Sequence, residues 1–193
     1  MATFGQTSNN ANTQTFSADR IYLSTATPAT SGTVTAGKGR NWVSAAASPG
    51  CRIVIYSDSG GSPDTLLATS DEVIISNTTE QENTFAFSGA EQISIVGGTP
   101  YWFGFMFDDP GTPNMVMSRA NNANVVHFGS VTYPSAPSTF TSSGTASGAH
   151  DVYIEYTEAA TSAIKTFQGL AYASTKTVEG LAIASVKNKQ GLA

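Results

Sequence analysis

The chain has 193 residues, a formal net charge of −5 and only 12% charged residues. This length allows one domain with a substantial core and some additional elements. The nine basic residues are scattered, apart from Lys187 and Lys189 near the end, so the composition argues against binding nucleic acid through phosphate contacts. The single cysteine, Cys51, excludes an intrachain disulfide, and its place beside an apolar run favours a buried small side chain over a reactive thiol.

The first residues show neither the basic region nor the apolar region of a secretory signal peptide. No apolar run approaches the length of a membrane span. We therefore expect a protein that is made in a cytoplasm and carries no export signal of its own.

Short apolar or alternating runs recur about every ten residues and are separated by turn-forming residues, as in an antiparallel β-sandwich. No segment shows a helical apolar face. The sequence therefore predicts an all-β fold with many short strands. The predicted strands are 3–6, 16–25, 32–36, 42–47, 52–56, 65–69, 72–76, 84–88, 92–96, 101–107, 114–118, 125–131 and 151–157.

A hairpin is predicted around residues 51–70, which read CRIVIYSDSGGSPDTLLATS. The β-branched run at 53–56 is typical of a buried strand. Glycines at 60 and 61 and the proline at 63 favour a tight turn, after which residues 66–68 return as a second strand.

The most hydrophobic run, 101–107, is apolar at both alternating sets of positions, which predicts a strand through the middle of the fold. An aromatic platform for sugar stacking is the alternative, and a core role is favoured. Segment 134–150 is rich in Ser, Gly and Pro, which predicts a long surface loop of the kind that often binds ligands.

The segment from residue 164 to the end is periodic, with the pattern IKTFQGLAYAS, TKTVEGLAIAS, VKNKQGLA. An eleven-residue period also fits a helix, but a glycine and β-branched residues in each repeat argue against one. We expect a β-meander with two-residue turns at each Gln-Gly or Glu-Gly pair. A disordered tail is the alternative.

A ribbon this small is not stable alone, so it must dock on its own sandwich, on copies of itself or on a neighbouring protein. We therefore predict a sandwich domain at 1–158 and a tail at 159–193 for anchoring or oligomerisation. The tail residues predicted to make these contacts are Phe167, Gly169, Leu170, Tyr172, Val178, Gly180, Leu181, Ile183, Val186, Gly191 and Leu192.

The globular part resembles jelly-roll domains of tailed-phage structural proteins and bacterial surface proteins, which share a pattern "IYSDSGG-P--LLATS" followed by "-G--YW". The resemblance spans roughly residues 3–157. The tail is similar to "K-T-x-x-G-L-A-x-A-S" repeats at the C-termini of tailed-phage structural proteins. The residues of the globular part that match the jelly-roll pattern are 55–61, Pro63, 66–70, Gly98, Tyr101 and Trp102.

The resemblance implies an antiparallel jelly-roll-like β-sandwich of the decoration or fibre type, with a β-meander or extended repeat tail. It implies no catalytic residues. It also implies a virion location, with synthesis in the host cytoplasm, and partners that are copies of the chain and other virion proteins, such as the major capsid or tail protein.

Catalytic motifs are absent from the sequence: there is no nucleophile elbow, HExxH, phosphate-binding loop or CxxC. His127 lies in a strand-like run, which favours a sheet-face or core role, and His150 precedes Asp151 at a loop-to-strand junction. A Ser–His–Asp set is not excluded by sequence alone. We expect no cofactor, although a structural Ca²⁺ is an option at the turn residues Asp58, Asp64, Asp108 and Asp109.

Three functions follow from these observations. The leading hypothesis is a non-enzymatic virion protein, a capsid decoration subunit that forms homo-oligomers. The second is a carbohydrate- or receptor-binding module of a tail fibre, in which Trp42, Tyr133 and Phe140 contact a host surface glycan. The third, held at low weight, is a glycan depolymerase with two facing carboxylates.

Overall fold

The computed structural model describes residues 1–16, 19–108, 115–121 and 124–160. These residues form an antiparallel β-sandwich of two sheets, as the sequence predicted. Its strands are β1 (Ala2–Gly5), β2 (Asn12–Phe16), β3 (Arg20–Ala26), β4 (Gly32–Val43), β5 (Gly50–Asp58), β6 (Pro63–Thr69), β7 (Val73–Ile74), β8 (Gln81–Ala86), β9 (Ser94–Ile95), β10 (Tyr101–Phe107), β11 (Met115–Arg119), β12 (Val125–Ser130), β13 (Gly144–Ser147) and β14 (Val152–Glu158).

Sheet 1 is built around the long strand β4, whereas β3 and β10 lie at the centre of sheet 2. Sheet 1 has the order β1-β14-β4-β11-β2, and β8 and β9 also pair with β4. Sheet 2 has the order β13-β12-β3-β10-β5-β6, and β7 also pairs with β5. The chain passes repeatedly from one sheet to the other, and short elements such as the 3-10 turn at Gly89–Glu91 lie in the connections.

The main core lies between the sheets and is rich in aromatic rings. The ring of Phe4 meets Phe103 edge-on at 5.2 Å, and Phe85 of β8 meets Phe105 of β10 at 5.7 Å. Ring pairs in this geometry contribute about 0.5–1.5 kcal/mol beyond the area that they bury. The alternating inward residues of both sheets therefore hold the sandwich together.

Sheet 2 is also buried on its outer face. A second apolar cluster lies there and is covered by residues 131–140, which we call the strap. Backbone and side-chain bonds hold the strap: Leu66 N donates to Ser138 O at 2.9 Å, and Tyr56 Oη donates to Pro137 O at 2.9 Å. The outer-face cluster consists of Ile21, Leu23, Val54, Tyr56, Trp102, Met106 and Phe140.

This arrangement confirms that the strand at 101–107 crosses the middle of the fold, since all seven of its residues are buried. The hairpin prediction is also confirmed, because β5 and β6 pair directly, with register shifts near Tyr56. Cys51 is buried, as expected, and burial raises the pKa of its thiol.

Several predicted boundaries were wrong. The predicted strand 32–36 and the first two residues of the predicted strand 42–47 belong to one strand, β4, which ends at Val43. The predicted strand 16–25 combines the end of β2 in sheet 1 with β3 in sheet 2. Segment 134–150 is not simply a surface loop, since it contains β13 and the buried ring of Phe140. The predicted tail contacts, from Phe167 to Leu192, lie outside the described residues.

Candidate functional surface

The outer face of sheet 1 is the sheet surface that the strap leaves open, and we call it the open face. Side chains alternate along β4, so buried Asn41 and Val43 point into the sandwich while Lys38, Arg40 and Trp42 point outwards. These three outward residues are partly exposed. A partner that binds a sheet surface of this domain would therefore meet the open face.

Ion pairs cross the open face between neighbouring strands. Lys38 Nζ lies 3.0 Å from Glu155 Oε1, and Arg40 lies 3.4 Å from Glu82 and 3.8 Å from Glu80. The hydrogen bond to Glu155 raises the pKa of Lys38. Exposed pairs of this kind stabilise a fold by only about 0–1 kcal/mol each, so their main effect is to orient the charged side chains.

Trp42 gives the open face an aromatic surface. It lies opposite Val116 of β11 and two residues from Arg40 on the same side of β4. Tyr153 lies opposite Lys38, which places it about 13 Å from Trp42 along the sheet, at about 3.3 Å per residue. An exposed ring flanked by charged hydrogen-bonding groups suits either a protein partner or a sugar.

The three predicted glycan contacts do not come together. Trp42 lies on sheet 1, whereas Tyr133 lies in the strap on sheet 2 and donates its hydroxyl to Glu72. Phe140 is only 7% exposed, and its ring packs edge-on against Tyr56 at 5.6 Å. Phe140, which was predicted as a glycan contact, is therefore buried and anchors the strap in the outer-face cluster.

Tyr133 belongs to a polar group where the strap begins. The pKa of its hydroxyl is raised mainly by burial and secondly by the hydrogen bond to Glu72. Arg52 lies 3.9 Å from the same carboxylate and donates to Ser70 O at 2.9 Å. These contacts fix the start of the strap.

Of the acids considered for Ca²⁺, Asp58 and Asp64 have local roles in turns. Asp58 accepts hydrogen bonds from Trp102 Nε1 at 2.7 Å and from the backbone N–H of Gly61 at 3.2 Å. Asp64 accepts a bond from the hydroxyl of Thr65. Among the residues that the structure describes, no group of three or more His, Cys, Asp and Glu side chains could hold a metal ion. Asp109 lies outside these residues.

Ser118, His150 and Asp151 meet where β11 adjoins β14, and Asp151 N donates to Ser118 O at 2.9 Å. They do not form a catalytic relay. The ring of His150 is buried against Phe16 at 5.0 Å, and burial lowers its pKa to about 3. In the part of the chain that the structure describes, its Nδ1 has no hydrogen-bond partner. The carboxylate of Asp151 accepts two bonds from Asn10 instead.

His127 lies on the outer face of sheet 2, in the sheet-face position that its strand-like sequence favoured. Its ring meets Trp102 edge-on at 4.8 Å, and its Nδ1 lies 3.1 Å from the hydroxyl of Ser142. Partial burial lowers the pKa of the imidazole. These contacts give His127 a packing role beside the strap.

The strap was not predicted from the sequence, and neither was a shallow hollow of about 390 Å³ on its surface. The apolar residues of the strap, among them Val131, Tyr133 and Ala136, were the sequence signal that this segment packs against the sandwich, but their spacing is irregular. The residues that line the hollow are Ser130, Val131, Thr132, Ser135, Ala136 and Pro137.

Neither the family models nor the curated proteins compared with this chain gave a match. Within the described part of the chain, no helix has the length and apolar character needed to cross a membrane.

Proposed function

We propose that this protein is a non-enzymatic structural component of a tailed-phage virion, a capsid decoration subunit held in place by protein–protein contacts. The observation that carries this proposal is the combination of a β-sandwich with an eleven-residue repeat of small and apolar residues. Such a repeat has too little core of its own to be stable in isolation, which favours a role in contact with another surface.

The chemistry of the described residues supports the same proposal. Among the described residues, Nδ1 of the buried His150 imidazole has no hydrogen-bond partner, and carboxylates such as Asp58 and Glu155 are engaged in a turn and in a surface ion pair. The open face, in contrast, offers a broad surface for a neighbour. In this proposal the sandwich contacts neighbouring virion proteins, and the tail anchors or oligomerises the subunit.

The test uses the full chain and purified particles. Replacing Leu170, Leu181 and Leu192 by Asn should abolish binding to particles or oligomer formation, because these leucines recur at the same place in each repeat. The matched control replaces the polar repeat positions Thr166, Thr177 and Asn188 by Ser and should bind normally. Circular dichroism checks that the sandwich stays folded. Normal assembly of the leucine variant would refute the tail role.

A second candidate function is a carbohydrate- or receptor-binding module, favoured by the partial exposure of Trp42 beside Arg40 on the open face. In this case Trp42→Ala should weaken binding to a glycan by about fivefold, since ring stacking contributes about 1 kcal/mol. Thr33→Ala, an exposed position elsewhere on β4, is the control. A glycan array without a hit for the full chain would remove this candidate.

A further inference from the structure

The edge of sheet 1 at β8 carries backbone groups that point away from β4. The carbonyl of Ala86 points away from β4 and accepts a hydrogen bond from Asp71 N at 2.8 Å. Alternate residues of an antiparallel strand face the same way, so the N–H and C=O groups of Glu82 and Thr84 also point away from β4. Within the described ranges, these groups have no backbone partner.

The corresponding edge of sheet 2 is protected. Along β6, Leu66 N donates to Ser138 O at 2.9 Å, and Thr69 N donates to the carboxylate of Glu91 at 2.6 Å. Proteins commonly cover their sheet edges in this way, because an open edge is a template for another strand. The difference between β6 and β8 therefore marks β8 as a site for an added strand.

The open edge at β8 also carries an excess of negative charge. Glu80 and Glu82 share one cation, the guanidinium of Arg40, at 3.8 and 3.4 Å. On the scale of the whole chain, residues 1–160 contain five basic and thirteen acidic residues, a formal charge of −8. Segment 161–193 contains four lysines and one glutamate, a formal charge of +3. The two parts of the chain are thus complementary in charge, which favours association between copies.

We propose that the β8 edge of one copy receives a strand from the repeat segment, residues 164–193, of a second copy. The added strand pairs antiparallel with Glu82 and Thr84 and places a repeat lysine near Glu82, where opposite charges on paired strands attract each other. Lys165, Lys176 and Lys187 supply one such cation in each repeat. This inference rests on the proposed function, since it names the surface that the tail of a neighbouring subunit binds.

The first test removes an outward N–H group of β8 and keeps the hydrogen bonds between β8 and β4. Thr84→Pro deletes an N–H that points away from β4, so the pairing of β8 with β4 keeps its bonds. The matched control is Thr3→Pro on β1, whose N–H also points outwards because Gln6 N donates to Val152 O. Sedimentation equilibrium should show a dissociation constant for self-association raised by about tenfold or more in Thr84→Pro and unchanged in the control.

The second test changes the charge. Glu82→Lys should weaken self-association at low salt, and replacing Lys165, Lys176 and Lys187 by Glu in the same chain should restore it. Added salt should weaken the association of the unmodified chain, because charged groups near the surface are screened. This test decides the question if Thr84→Pro does not fold.

The outcomes separate this inference from the proposed function. If both β8 variants associate normally while the variant at Leu170, Leu181 and Leu192 does not, the β8 site is refuted and the tail role stands. If the leucine variant also associates and binds particles normally, the tail role itself is refuted. A full-length chain that stays monomeric at all concentrations refutes the β8 site.

Discussion

Truncating the side chain of Phe140 should detach the strap from sheet 2. The ring is buried against Tyr56 and joins the outer-face cluster. A buried Phe covers roughly 150 Å², which at about 25 cal/mol per Å² amounts to about 4 kcal/mol. Because a loop can partly close the cavity, we expect Phe140→Ala to lower the free energy of unfolding by about 3 kcal/mol, measured by urea denaturation.

The matched variant Tyr56→Phe keeps both rings and removes only the bond from Tyr56 Oη to Pro137 O, so it should cost about 1 kcal/mol. Hydrogen exchange adds a local measurement. In Phe140→Ala, the amide of Leu66, which donates to Ser138 O, should lose protection, while amides of β14 should keep theirs. A loss of stability no larger in Phe140→Ala than in Tyr56→Phe would show that the strap does not close the outer face.

Three further outcomes test the core and the buried titratable groups. Gly39→Ala should destabilise the fold by about 2 kcal/mol in urea denaturation, since the added methyl would overlap the ring of Phe105, whereas Gly89→Ala, in open space at positive φ, should cost about 1 kcal/mol. The pKa of His150 is about 3 in the folded chain and near 6.5 in the unfolded chain. As the pH drops below about 6.5 the unfolded chain therefore binds a proton that the folded chain does not, and the free energy of unfolding falls. At pH 5 this fall should be about 2 kcal/mol larger in the unmodified chain than in His150→Gln. Cys51 should resist a thiol reagent at neutral pH in the folded chain and react once the chain is unfolded in urea, since the thiol is buried and its pKa is raised.

The sequence predicted the fold class because its signal is local. Strands such as 101–107 and 53–56 are defined by their own apolar residues, and the turn residues between 57 and 64 make the hairpin the favoured local structure. The assignment of strands to sheets is a different matter. It depends on contacts between distant residues, so the division of 16–25 between β2 and β3 was not visible in the local pattern.

The length of β4 shows why local propensity failed at one place. Gly37 and Gly39 weaken a strand prediction, and they interrupt the apolar alternation between the two predicted strands. In the structure, each is the position where a large side chain of sheet 2 approaches the backbone of β4. A methyl group at Gly37 would lie 2.7 Å from the side chain of Ile53, and one at Gly39 would overlap Phe105. The glycines are therefore required by the partner sheet, which the local sequence does not reveal.

The candidate surface was only partly predictable. Trp42 was predicted as a glycan contact, and the structure places it on β4, on the open face. Phe140 was predicted to contact a glycan because it lies in segment 134–150, whose Ser, Gly and Pro predict a surface loop. Composition describes what surrounds a residue along the chain, whereas the apolar face of sheet 2 that Phe140 covers comes from β3, β5 and β10.

The different treatment of the two sheets limits where a partner can bind. Sheet 2 has apolar residues on both faces, and its outer face would expose a contiguous apolar patch to water without the strap. Sheet 1 needs no such cover, because the outward positions of β4 carry Lys38 and Arg40, which are paired with acids on β8 and β14. Sheet 1 can therefore face water without a cover. Among the described residues it also presents the ring of Trp42 and the outward backbone groups of Glu82 and Thr84, and a partner could replace the water on these groups at little cost. For this reason the open face and the adjoining β8 edge are where we expect a partner to bind.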